Sequence, residues 1–143
     1  MEKQDSRNFI SEIEKGESSC IILKGNDILR FSLPGVAALL TILKDKPEIL
    51  KDAVVFDKIV GKGAAALMIK GGVKEIYADI ISKAASILLS ENHIEFSFRK
   101  LVPVIRNKEN TGICPIEELS IPYDNPEEIF SEILKFIGSK KSE

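Results

Sequence analysis

Between Ala53 and Phe98 the chain alternates two kinds of short apolar run, and that alternation constrains the fold more than any other feature. Ala53-Val54-Val55-Phe56, Glu75-Ile76-Tyr77-Ala78 and Glu95-Phe96-Ser97-Phe98 carry the β-branched and aromatic residues of strands. Between them lie two helix-forming runs: Ala64-Ala65-Ala66-Leu67-Met68-Ile69, closed by Gly71-Gly72, and residues 82–92. Linkers of a few residues between strand, helix and strand are the mark of parallel βαβ crossovers, in which helices cover the sheet. The expected class is α/β.

The flanking segments extend this unit. Residues 3–15 place Phe9, Ile10 and Ile13 at helical spacing and stop at Gly16. Ser19-Cys20-Ile21-Ile22-Leu23-Lys24 and Ile28-Leu29-Arg30-Phe31-Ser32 surround Gly25-Asn26-Asp27, which predicts a β-hairpin. Pro34 opens an apolar helix over residues 36–43, limited by Pro47. Residues 104–125 read mostly as loop, with a short helix after Pro115, and a last amphipathic helix begins at Pro126. No fixed-period repeat or linker divides the chain, so one domain over residues 1–138 and a disordered tail over 139–143 are expected.

Charge and cysteine usage exclude several chemistries. Twenty basic against 22 acidic residues leave a net charge of -2, without the cationic surplus that drives phosphate-backbone binding, so no nucleic-acid partner is expected. The N-terminus MEKQDSRNF lacks the apolar stretch of a signal peptide, and no apolar run approaches a membrane span. With two isolated cysteines, Cys20 and Cys114, the expected location is the cytoplasm. One histidine and two distant cysteines supply no C-x-x-C or H-E-x-x-H spacing, and neither a metal nor another cofactor is expected.

Parallel α/β sheets collect ligands beyond the carboxyl ends of their strands, where helix N-termini offer free N–H groups. The first candidate is therefore Phe56-Asp57-Lys58-Ile59-Val60-Gly61-Lys62-Gly63-Ala64, read as a strand end running into a helix start. Gly61 would let a ligand approach the backbone, Lys58 and Lys62 would add charge for an anion, and Asp57 would accept hydrogen bonds. The run is neither a P-loop nor G-x-G-x-x-G, and solvated lysines with packing glycines are the bland alternative. The second candidate is Ser82, at an N-cap position after the next strand; capping alone would explain it. The third is the loop carrying Asn107 and Cys114. Cys114 precedes Pro115 and would cap a short helix, where a thiol can be activated, yet the single histidine, His93, sits at a helix end with no task as its base. Glu117-Glu118 and Glu127-Glu128 fit helix starts as dipole partners.

Val54-Val55-Phe56-Asp57-Lys58-Ile59-Val60-Gly61-Lys62 and Cys114-Pro115-Ile116-Glu117, with Ser82 and Leu101-Val102-Pro103-Val104-Ile105-Arg106-Asn107 between them, resemble an uncharacterised prokaryotic family classed as a domain of unknown function. The resemblance covers roughly residues 18 to 130. It implies a cytidine deaminase-like fold: a three-layer α/β/α sandwich with an N-terminal hairpin, parallel βαβ units and a mixed sheet of about five strands. It also implies that the zinc-ligand positions of true deaminases fall near Gly35-Val36-Ala37 and Val60-Gly61-Lys62-Gly63, where no His, Cys or Glu stands, so zinc-dependent deamination is not expected.

Three functions follow as expectations. The first is a metal-free domain that holds a small anionic or nucleotide-like ligand through Asp57, Lys58, Gly61, Lys62, Ser82, Asn107 and Cys114. The second is an enzyme of unnamed reaction using Cys114, or Asp57 with Lys62. The third is an interaction protein whose helix faces or sheet edge form an oligomer such as a homodimer.

Overall fold

The computed structural model describes residues 3–33 and 35–141. Its elements run α1 (Lys3–Glu14), β1 (Cys20–Lys24), β2 (Asp27–Phe31), α2 (Gly35–Asp45), a 3-10 turn at Pro47–Ile49, β3 (Val54–Val60), α3 (Lys62–Gly71), β4 (Glu75–Ser82), α4 (Lys83–Glu91), β5 (Glu95–Val102), α5 (Pro115–Ser120) and α6 (Pro126–Lys141). Pro34, expected to open α2, lies outside the described residues.

The five strands make one mixed sheet in the order β2-β1-β3-β4-β5. β1 runs antiparallel to both β2 and β3, while β3, β4 and β5 are mutually parallel. Lys24 pairs with Asp27 across a two-residue turn, and Gly25 takes φ +59, a conformation that a Cβ would strain.

Period-two alternation distributes the strand residues between two faces. Ile21, Phe56 and Tyr77 point to one side, where Phe9, Ile10 and Ile13 of α1 cover them; the Phe9 and Phe56 rings lie 5.4 Å apart. Their neighbours Ile22, Val55, Ile76 and Ala78 point to the other side, into the larger core beneath α2, α3, α4 and α6. The sheet is thus a middle layer with one helix below it and the rest above.

Three strands are longer than their apolar runs suggested. Asp57 and Lys58, expected in a loop, lie inside β3, β4 continues through Asp79 to Ser82, and β5 continues to Val102. The polar residues hid this because sheet pairing satisfies their backbone, and the side chains of Lys58 and Asp79 find specific partners. Asp79 is the clearest case: Arg99 Nε donates to its Oδ1 at 2.6 Å, and Lys58 Nζ lies 3.6 Å from Oδ2. Lys58, Asp79 and Arg99 occupy one row across β3, β4 and β5 on the α1 face, an alternating ladder of charge. At the C-terminus, α6 reaches Lys141, into the segment expected to be disordered; residues 142 and 143 lie outside the described part.

Candidate functional site

Because Phe56 faces α1, its successor Asp57 faces the opposite layer and is driven beneath the start of α2. Its side chain is 1% exposed, and Oδ2 has no hydrogen-bond partner among the described residues. Burial pushes the carboxyl up to about 7, against the opposing pull of the backbone N–H groups of Ile59 and Lys58. A group that costs this much to bury is expected to be paired.

Asp57 lies at the wall of a cleft of about 760 Å³. Ser19 and Ser32 approach from the hairpin, Gly35 and Val36 from the start of α2, and Gly61, Gly63 and Ala64 from the start of α3. The loop from Ile105 to Glu109 and the start of α5, from Cys114 to Glu117, complete it. Gly35 is required by this geometry: a Cβ there would overlap both carboxyl oxygens of Asp57, lying 2.9 Å from Oδ1 and closer still to Oδ2. Gly63 serves packing instead, since a Cβ would collide with Ile116 of α5 and crowd Ser120 at 3.2 Å.

The N-terminus of α3, the expected anion cradle, is already filled by the protein. Glu117 is 2% exposed and its Oε1 accepts from the Lys62 backbone N–H at 2.8 Å and from Ser82 Oγ at 3.2 Å. Its Oε2 accepts from the Ile105 N–H at 2.7 Å, which fastens the 105–117 loop to the sheet end. One internal carboxylate thus supplies the negative charge that a helix N-terminus favours and holds one wall of the cleft. The acidic pair at 117–118 was legible as a dipole partner, but of its own helix; that Glu117 serves α3 depends on the return of a distant loop.

Several expected ligand residues are consequently occupied elsewhere. Ser82 Oγ caps α4 by accepting from the Ala85 N–H at 3.1 Å and donates to Glu117, so it does not line the cleft. Lys62 is buried and its Nζ donates to Ile121 O at 2.9 Å and lies 3.5 Å from Asp124, also outside the cleft lining. Lys58 borders the cleft, but alternation sends its ammonium to the α1 side, where it donates to the carbonyls of Ile13 and Glu14 at 3.3 and 3.2 Å and complements the helix C-terminus.

Asp57, Gly61, Asn107 and Cys114 do come together around the cleft. Asn107 closes its own loop, accepting from the Thr111 N–H at 3.0 Å and donating to Thr111 Oγ1 at 3.1 Å. Cys114 is the N-cap residue of α5 without a side-chain capping bond, and its thiol is free. Cys20 is also free; it pairs with Asp57 in the β1–β3 register and is buried, and burial pushes its thiol well up. His93 ends α4 on the surface, away from the cleft lining. Sequence reasoning missed Gly35, Ser19, Ser32 and Arg106 as cleft residues, which reach it only through the tertiary path of the hairpin and the long loop; Lys108 lies in the loop already singled out with Asn107 and Cys114. Among the described residues, no group of three or more His, Cys, Asp or Glu is placed to hold a metal, and no helix is long and apolar enough to cross a membrane.

A family model described as a domain of unknown function, DUF1893, matches residues 8–137. The crystal structure of a DUF1893 family protein, TM1506 from Thermotoga maritima, is 31% identical to this chain, with a TM-score of 0.83 over 94% of this chain and 91% of that one. No curated protein matches the chain.

Proposed function

The chain belongs to the DUF1893 family, and from the buried carboxyl in its cleft we propose that it is a binding domain for a small anionic or nucleotide-like ligand. The observation that carries this reading is Asp57: a buried carboxyl whose Oδ2 has no partner among the described residues, in the wall of a cleft wide enough for a small molecule. A ligand N–H or O–H, such as a base or a sugar supplies, would complete its hydrogen bonding. Lys108 on the loop bordering the cleft would serve the anionic end, beside Arg106, whose guanidinium donates to Asn110 Oδ1 and O. Lys62 and Ser82 have structural tasks in this reading, and Glu117 replaces a bound anion at α3.

We read the layers as a cytidine deaminase-like arrangement, supported by the element order helix, hairpin, helix, strand, helix, strand, helix, strand. The zinc of true deaminases does not fit the residues present. The start of α2 offers Gly35 packed against one carboxyl, and the start of α3 offers Gly61 with its following N–H already bonded to Glu117. A chemical role for Cys114 or Asp57 shares the same cleft, and a Cys114 alkylation rate at pH 7 well above that of an unstructured peptide thiol would favour it.

The test is a thermal-shift screen of nucleosides, nucleotides and phosphorylated metabolites on the wild type, Asp57→Asn and Lys62→Ala. A ligand at about a hundred times its dissociation constant adds roughly 2.7 kcal/mol and raises the melting temperature by several degrees. The reading expects a shift that Asp57→Asn abolishes and Lys62→Ala keeps. A shift indifferent to Asp57, or none from any of these classes, overturns it.

A further inference from the structure

β5 is one of the two edges of the sheet, β2 being the other: β4 pairs with it on one side, and no described strand pairs with it on the other. Natural proteins blunt such edges with prolines, bulges, covering loops or charged side chains, of which β5 carries Glu95, Arg99 and Lys100, because unpaired N–H and C=O groups recruit another strand. Glu95–Val102 has eight residues, no proline, and large apolar side chains left in water, with Phe98 42% and Leu101 48% exposed. Ile87, on the α4 helix that packs beside β5, is also 48% exposed.

We propose that a second copy of this chain pairs antiparallel with β5 about a two-fold axis at Ser97, extending the sheet through a homodimer. This surface is separate from the cleft, and the inference stands independently of the ligand-binding reading. A symmetric pair must place residues of one face opposite residues of the same face, so only registers in which residue numbers of equal parity meet are allowed. Centred on Ser97, Glu95 meets Arg99 of the copy and Phe96 meets Phe98 of the copy. Centred on Phe98, Glu95 would face Leu101 and Phe96 would face Lys100; centred on Arg99 or Lys100, like charges would meet on the axis.

Each monomer supplies what the Ser97 register needs. Phe96 and Phe98 lie on the helix-covered face with centroids 6.3 Å apart, so two copies would join four rings. On the α1 face Arg99 is half-exposed beyond its bond to Asp79. Glu95 stands beside Glu75 in the parallel register, two like charges with no ion pair to either among the described residues. A copy's Glu95 would lengthen the ladder Lys58, Asp79, Arg99 by one negative rung.

The experiment joins light scattering to disulfide mapping in a Cys114→Ser background, where Cys20 is buried and silent. Wild-type protein is expected at twice the 15.8 kDa chain mass, with Phe98→Lys weakening association by about tenfold or more while far-UV circular dichroism is unchanged. Under mild oxidation Ser97→Cys is expected to form an intermolecular disulfide, because axial Cα atoms lie about 4.5 to 5.5 Å apart. Phe98→Cys places its pair about 8 Å apart and Lys100→Cys about 20 Å, and neither should cross-link. A monomer at concentrations approaching about 1 mM, a dimer indifferent to Phe98→Lys, or cross-linking fastest at Phe98 or Lys100 overturns the proposal.

Discussion

Replacing Asp57 by Asn should make the protein more stable at pH 8 and leave it nearly unchanged near pH 3. The residue is 1% exposed and its carboxyl is pushed up to about 7 in the folded protein, against an ordinary 3.8. The folded state therefore holds its proton more tightly than the unfolded chain, and stability falls as pH rises from about 4 through about 7. Above that window the penalty is fully present, and a shift of about 3 pH units corresponds to roughly 4 kcal/mol. Asparagine keeps the shape without the charge, so the variant should gain on the order of 4 kcal/mol at pH 8, or about 10 °C in melting temperature. Urea denaturation of both proteins between pH 3 and pH 8 reads the difference directly, and other titrating groups cancel in it. Equal stability at pH 8, or a gain that does not depend on pH, would refute the claim that an ionised, unpaired carboxylate is buried there. The gain, set beside the lost ligand shift, would mark Asp57 as a site maintained at the expense of stability.

Gly35→Ala should destabilise the fold by about 1 to 3 kcal/mol, since its Cβ overlaps the Asp57 carboxyl, and it should lower the ligand-induced thermal shift as well. Glu117→Gln replaces the carboxylate that accepts from Lys62 N–H, Ile105 N–H and Ser82; a loss of about 2 to 3 kcal/mol in denaturant titration is expected. Lys62→Met should cost about 1 to 2 kcal/mol by removing the bond to Ile121 O, yet leave the ligand shift intact. Asp79 is held below the ordinary carboxylate range, first by its hydrogen bond to Arg99. Its stabilisation is present above about pH 4 and lost as pH falls below it, so the melting-temperature gap between wild type and Asp79→Asn should be wide at pH 7 and narrow at pH 3.

The element order was legible because each apolar run carries its own local signal. Ala-rich helix α3 closed by Gly71-Gly72 and the hairpin with Gly25 at positive φ needed no tertiary information. Strand length was not legible, because Asp57, Lys58 and Asp79 break the apolar pattern, and Lys58 and Asp79 are accommodated by partners far along the chain. Asp79 waits for Arg99, and Lys58 for the carbonyls ending α1. The site was half legible for the same reason. Asp57 and Cys114 line the cleft, whereas the internal bonds of Lys62 and Ser82 were hidden because Glu117 is 55 residues from Lys62 and 35 from Ser82. An anion-binding helix start filled from within cannot be distinguished, from local sequence, from one that is open.

In the proposed site Asp57 awaits a donor from a ligand. Carboxyl-carbon NMR of the aspartates, with Asp57 assigned through Asp57→Asn, tests it most directly. The expected result is a group titrating near 7 in the free protein, whose titration moves out of that range when the cleft is saturated with a compound from the screen. A carboxyl titrating near the ordinary 3.8, unmoved by any such compound, would contradict it.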